Sequence, residues 1–325
     1  MAPPTLPVMD SEEDALAYVR ETLSKLKKPA LLLSGGMDSA VLLPFMPKGT
    51  TAYTIYHDRL ETNEVEIAKD YCEKFSIKHV AISIDPDESF SVIDDLMINK
   101  KMPLSPAEPM LYLVSKRACQ DGAKEIVTGG GADTKFGGFT RFRQPLFSNQ
   151  YQKKFHKRYL RPKSILREAR PLHHVFDQYL IPMPKSQRAK NALRFISPRK
   201  RDFSIIDSKR FLREIGVERF AFDNAINLAG GEHVAPFSQF LFDFDEALNL
   251  IRPKYFIQDL YSKIYGQKAP KKLGLQKPIY MLDDYTPKNL QLFKKNIDMS
   301  KMKYPQKFLM YSLERFENLR LKGLV

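Results

Sequence analysis

A chain of 325 residues with 43% hydrophobic and 28% charged residues can bury a large core, as one large domain or two closely packed ones, and is too rich in apolar residues to stay unfolded. No apolar run approaches membrane length, the start MAPPTLPVMD lacks a basic-then-apolar leader, and two cysteines with six scattered histidines form no zinc-like cluster, so a cytoplasmic protein without a membrane partner is expected. The net charge of +14 favours polyanionic or acidic ligands without saying which.

In chain order, Ser11 and Asp14 form a loose capping box. Leu16, Val19, Leu23 and Leu26 then recur at helical spacing. Ala30–Leu33 is an unbroken apolar run suited to a central parallel strand, buried on both faces. It breaks into Ser34-Gly35-Gly36, where the backbone can turn tightly and direct N–H groups at an anion, with Asp38 and Ser39 opening the next helix. A carboxylate beside phosphates is best used to hold Mg²⁺ on them, which suggests that role for Asp38; the plain alternative is an ordinary strand-to-helix loop. Pro44 and Pro47 keep that helix short.

Thr50–Tyr56 is a second strand, Val65, Ala68, Cys72 and Phe75 mark the inner face of a helix, and Lys78–Ile84 is a third strand. Helices over Asp87–Asn99 and Met110–Gln120 precede a strand at Glu125–Thr128. Alternating strands and helices predict an α/β, doubly wound, mostly parallel sheet, with ligands held beyond the carboxyl ends of the strands. A second glycine-rich stretch, Thr128–Phe139, follows the last of these strands, so Asp38 and Asp133 could meet over one metal–phosphate cluster. Helices are expected at Phe211–Ile215, Phe220–Leu228, Phe237–Ile251 and Tyr255–Tyr265, with a last helical pattern in Gln306–Val325 that suits a dimer surface, a partner surface or core packing. The expected division is an α/β core over 10–145 and a mainly helical part over 146–325 packed over the site that the glycine-rich loops form. Both cysteines, Cys72 and Cys119, fall on apolar helix faces, as buried small hydrophobes.

Between Arg141 and Arg170 ten Lys/Arg stand against the single Glu168, interleaved with Phe142, Phe147, Tyr151, Phe155 and Tyr159. This pattern, with Arg199–Arg201, allows a nucleic-acid surface, but the interval of four between Tyr151, Phe155 and Tyr159 favours amphipathic helices.

The string Ser34–Ser39, SGGMDS, resembles the signature of the N-type ATP pyrophosphatase (PP-loop) superfamily. Further landmarks follow in order: the Glu66–Ala68 region, Pro109–Lys116, Thr128–Gly138, Gly230–Phe237 and Lys271–Ile279. Together they resemble the synthetase domain of the asparagine synthetase and β-lactam synthetase family. That resemblance implies an ATP- and Mg²⁺-dependent, AMP-forming amide-bond synthetase that adenylates a carboxylate and passes it to an amine. It assigns Leu33, Ser34, Gly35, Gly36, Asp38, Ser39, Thr128, Gly129 and Gly130 to the nucleotide, Asp38 and Asp133 to the metal, and Lys272 and Glu232 to catalysis.

Departures from the family pattern narrow the expectation. The family's acids in the second loop are replaced by Gly130 and Thr134, and its Arg and Asp around the Pro-Phe pair by Val234 and Gln239. With Met1-Ala2 at the start and Cys72 the first cysteine, the resemblance is expected to extend to the synthetase domain alone, without the family's glutaminase half. Nitrogen is then expected from free ammonia, a separate amidotransferase subunit or an amine already on the substrate. The alternatives are a binding protein that uses its basic surface for RNA or an acidic protein, and a PP-loop RNA-modifying enzyme.

Overall fold

A computed structural model describes residues 6–9, 11–56, 64–136, 220–242, 254–270 and 304–325, with residues 252, 282, 285, 286 and 288 between them. The chain gathers into two compact units. The first is assembled from Met1–Leu96, Ala107–Gly138 and Arg219–Pro278, the second from Met97–Pro106, Phe139–Glu218 and Ile279–Val325, whereas the sequence suggests a single boundary near 145.

In the first unit, β1 (Val8–Met9) leads to helix α1 (Glu12–Ser24), capped as expected by the Ser11 hydroxyl accepting from the Asp14 N–H at 3.1 Å. Then come β2 (Pro29–Leu32), the short helix α2 (Met37–Ala40), a 3₁₀ turn at Leu43–Phe45 and β3 (Thr51–Tyr56). Pro44 within that turn accounts for the brevity of α2, because a proline removes a donor and blocks helix continuation. Helix α3 (Glu64–Lys74), β4 (Lys78–Ser83), α4 (Pro86–Ser91), α5 (Ile93–Lys100), α6 (Glu108–Gln120), β5 (Glu125–Val127) and α7 (Ala132–Lys135) follow, α5 running on past Leu96 into the second unit. The single helix expected over Asp87–Asn99 is thus two, interrupted at Val92.

After residue 219 the first unit continues with α8 (Phe220–Leu228), β6 (Glu232–Val234), a 3₁₀ turn at Pro236–Ser238, β7 (Leu241–Phe242) and α9 (Tyr255–Tyr265). Helices α8 and α9 match their expected bounds. The helix expected from Phe237 does not start there: its described part is the 3₁₀ turn and β7, which pairs in parallel with β1. Both β1 and β7 are two residues long, too short for a period-two signal.

Five parallel strands form the sheet in the order β4-β3-β2-β5-β6. The chain winds outward from β2 through β3 to β4, then returns to lay β5 and β6 on the other side. The switch point therefore lies between β2 and β5, the two strands that feed the glycine-rich loops. Successive residues of β2 serve opposite faces. Leu31 packs with Ala15, Val19 and Leu23 of α1, Ala68 and Cys72 of α3, and Ile257 and Tyr261 of α9. Ala30 packs with Val114 and Ala118 of α6 and Ile226 of α8. Helices thus cover both faces, and β2 reads as continuous apolar sequence for that reason.

In the second unit the described residues include helix α10 (Tyr304–Leu321). Its Ser312 hydroxyl accepts from the Leu104 N–H at 2.8 Å and donates to the Leu104 carbonyl at 3.2 Å, while Glu314 accepts from the Tyr285 hydroxyl and the Lys288 N–H. Expectations at 141–170, 199–201 and 211–215 lie outside the described residues. No helix among the described residues is long and apolar enough to cross a membrane.

Candidate active site

The first loop is organised by its serines. The buried Ser39 hydroxyl accepts from the Ser34 N–H at 3.1 Å and lies 3.2 Å from the Ser34 hydroxyl, which in turn accepts from the Gly36 N–H at 3.2 Å. Leu33, just before the turn, is buried and donates its N–H to the Tyr53 carbonyl at 2.8 Å. Gly35 is pressed on Glu64 at the start of α3: a Cβ there would lie 3.1 Å from both Cα and Cγ of Glu64.

The second loop leaves β5 at Thr128 and lies directly on the first. A Cβ on Gly129 would come within 2.7 Å of the Asp38 carbonyl carbon and 2.8 Å of the Ser39 nitrogen, so the absent side chain is what allows the two backbones to touch. Gly131 takes φ +88, a left-handed conformation, and packs its Cα face against Ser238 in the turn after β6. This seating brings Asp38 and Asp133 to one point. There Lys254 Nζ donates to an oxygen of each carboxylate, at 2.8 Å to Asp133, with the Asp38 contact at least as close. The lysine side chain is 5% exposed and the two aspartates 22% and 24%.

Lys254 was not among the residues expected from sequence. It sits in Arg252-Pro253-Lys254-Tyr255, one of 52 Lys/Arg in the chain, at φ +59 immediately before α9. A lysine at positive φ is uncommon, and no local pattern announces it. Further along α9, tyrosines hold the first loop from behind. The Tyr265 hydroxyl donates to the Ala40 carbonyl at 2.8 Å, and Tyr71 of α3, hydrogen-bonded to Tyr261 at 2.8 Å, reaches the Gly35 carbonyl at 3.5 Å. Burial pushes the Tyr71 and Tyr265 phenols above their ordinary range, so both remain neutral donors. Burial also pushes the Cys72 thiol up to about 12, consistent with a small hydrophobe and not a nucleophile.

Glu64 is 8% exposed, and burial raises its carboxyl above the ordinary glutamate value. The folded state therefore holds that proton more tightly than the unfolded chain, and its stability falls as pH rises through the raised value. Replacing Glu64 with Gln is expected to leave the melting temperature unchanged at about pH 3.5, where both states are protonated, and to raise it at about pH 8. Melting curves of the two proteins across that range check this, and no difference at the upper end would refute it.

Of the remaining expected residues, Glu232 is not brought to the cluster. It is the exposed first residue of β6, paired with Glu125 at the amino-terminal end of the sheet, whereas both loops leave the carboxyl end. Parallel strand direction decides this: a residue three positions before the Ala235 turn stands on the opposite rim. Lys272 lies outside the described residues.

Two carboxylates meeting at one point suit a hard divalent cation, since Mg²⁺ is commonly held by one or two carboxylates together with substrate phosphates. Among the described residues no group of three or more His, Cys, Asp or Glu could hold a metal without such a substrate. Sequence comparison decides the family: residues 16–223 match the asparagine synthase model. The chain belongs to the asparagine synthase family.

Within that family, 166 residues are 28% identical to a putative glutamine-hydrolysing asparagine synthetase of Mycobacterium tuberculosis strain H37Rv, covering 50% of this chain and 23% of that protein. Asparagine synthetase 1 of Bacillus subtilis strain 168 is 29% identical over 126 residues, 37% of this chain and 20% of its own length. The microcin J25-processing protein McjC of Escherichia coli is 28% identical over 108 residues, 32% and 19% of the two chains. The matched stretch thus spans no more than about a quarter of these asparagine synthase relatives. Both glycine-rich loops fall inside residues 16–223, while Lys254 and Lys272 lie beyond them.

Proposed function

We propose that the chain is an AMP-forming amide-bond synthetase that uses ATP and Mg²⁺ to adenylate a carboxylate and transfers the acyl group to an amine. The observation that carries this reading is the meeting of Asp38 and Asp133, from separate loops at the switch point of the sheet, on a single cationic group.

In the first step a substrate carboxylate oxygen bonds to the α-phosphorus, the bond from that phosphorus to the bridging oxygen breaks, and pyrophosphate leaves. Asp38 and Asp133 would hold Mg²⁺, which would supply positive charge to offset that developing on the departing pyrophosphate. The Ser34 and Ser39 hydroxyls and the Gly35–Gly36 backbone form the wall against which the phosphates lie. Thr128, Gly129 and Gly130 form the facing wall. Lys254 holds the two acids in place and adds a fixed positive charge beside the leaving group. Lys272 keeps the catalytic role that the family resemblance gives it; Glu232, on the far rim, takes no part. In the second step an amine attacks the acyl carbon, the bond to AMP breaks, and a proton leaves the nitrogen. The amine comes from ammonia, a separate amidotransferase or the substrate itself, and a substrate-borne amine fits the loop in which Gly130 and Thr134 replace acids.

The test is incubation with ATP, Mg²⁺ and a panel of amino-acid and peptide carboxylates, each with and without ammonia, reading AMP and pyrophosphate. Equal amounts of the two are expected to appear with one carboxylate class, and Asp38→Ala or Asp133→Ala should lower both at least tenfold. Formation of ADP and phosphate instead, or full activity in both variants, would refute the reading. Lys272→Met should likewise slow pyrophosphate release at unchanged ATP affinity.

A further inference from the structure

A buried chain of side chains stands behind the second loop. His233, in the middle of β6 and with a side chain only 5% exposed, has both ring nitrogens engaged. Nδ1 lies 2.6 Å from a carboxylate oxygen of Asp223 on α8, and Nε2 lies 2.9 Å from the Thr128 hydroxyl. The Phe222 ring stacks on the imidazole at 5.4 Å with 15° between the planes, fixing its orientation. Thr128 is tied to β6 a second time, its N–H donating to the Val234 carbonyl at 2.9 Å.

The chemistry of the donors sets the direction of this chain. A carboxylate only accepts, so Nδ1 carries a hydrogen, and in the tautomer whose one ring hydrogen is there Nε2 is an acceptor. The Thr128 hydroxyl hydrogen accordingly points at Nε2, away from the loop. That leaves an oxygen lone pair facing the loop, and the Gly130 N–H donates to it at 3.3 Å. Gly130 is followed by Gly131 at φ +88, so the direction of the Gly130 amide sets where the loop turns back toward Asp133. An apolar side chain at 233 would fill the same space without burying polar groups; a polar chain ending on the loop has a reason to exist if the loop's geometry depends on it.

We propose that His233, oriented by Asp223, is a positioning residue for the nucleotide: it keeps the Thr128 hydroxyl turned as an acceptor and so holds the Gly130 amide, and with it the second loop, in the shape that receives ATP. The inference rests on the reading of that loop as part of the nucleotide site. The sequence gives no hint of it, since Asp223, His233 and Thr128 meet only once β5 and β6 are paired and α8 is packed beside them.

The test uses the full chain in four forms besides wild type: Thr128→Val, His233→Phe, their double variant, and Asp223→Asn. Affinity for Mg²⁺ with α,β-methylene ATP is measured by calorimetry, and ¹⁵N spectra of histidine rings and glycine amides are recorded without nucleotide. Thr128→Val and His233→Phe should each weaken binding about tenfold, the scale of one buried hydrogen bond, and the double variant should be no worse than either. Asp223→Asn, at a position 33% exposed, lets the ring adopt either tautomer, so the His233 Nε2 resonance should leave the unprotonated range and the Gly130 amide should shift with it. Multiplying losses in the double variant, wild-type affinity in His233→Phe, or a Gly130 resonance indifferent to Asp223→Asn would each overturn the proposal. If wild type binds no nucleotide, the proposed function fails, and the ring and amide spectra still decide whether His233 positions the loop.

Discussion

Adding one methyl group at residue 129 is expected to abolish nucleotide binding and to cost the first unit about 3 kcal/mol of stability, at the upper end of what overpacking costs. In Gly129→Ala the new carbon would lie 2.7 Å from the Asp38 carbonyl carbon and 2.8 Å from both the Asp38 oxygen and the Ser39 nitrogen. All three are backbone atoms, so no side-chain rotation relieves the clash and one loop must retreat from the other. The retreat separates the two walls and carries Asp38 away from Asp133. The informative control is Gly49→Ala. Gly49 has φ +86 and open space around its missing Cβ, so alanine there pays only conformational strain, about 1 kcal/mol, and nucleotide binding should be unchanged. Thermal unfolding and calorimetry with Mg²⁺ and α,β-methylene ATP measure both effects. Wild-type affinity in Gly129→Ala would mean that close contact of the loops is not required for the site.

What the sequence made legible follows the range of the forces involved. The parallel strands, the pairing of each glycine-rich turn with an aspartate, and the bounds of α8 and α9 are written in short apolar runs and local turn chemistry. Even the shortness of α2 is visible in Pro44. The position of Glu232 is not legible in the same way, because a motif match carries no strand direction: once β6 runs parallel to β5, its first residue stands at the amino-terminal end of the sheet. Lys254 and His233 were invisible for a related reason. Neither lies in a repeating pattern, and each acquires its partners only through pairings more than a hundred residues apart in sequence, Lys254 with Asp133 and His233 with Thr128. Helix period and strand alternation report which face is buried, not which polar groups meet across the sheet top.

The lysine's effect should be large and should depend on magnesium. Lys254→Met keeps the length and apolar stem of the side chain but leaves Asp38 and Asp133 facing each other without the ammonium both now share. Breaking a fully buried ion pair by removing one partner costs about 3–5 kcal/mol, and because these acids keep 22% and 24% exposure a loss near about 2 kcal/mol is the reasonable scale. In chelator the variant is therefore expected to melt well below wild type. Added Mg²⁺ should recover most of the loss, since a ligand that binds only the folded state stabilises it by mass action and no longer competes with the lysine for the carboxylates. Wild type should respond far less. Pyrophosphate release should nonetheless remain depressed by about a hundredfold at saturating Mg²⁺, the scale of losing one preorganised charge or donor beside a developing anion. The two readouts separate the lysine's roles: stability rescued without rate places Lys254 in the chemistry as well as in the scaffold. Rescue of both would reduce it to a spacer between two acids, and a melting temperature insensitive to Mg²⁺ in the variant would remove the carboxylate pair as a metal site.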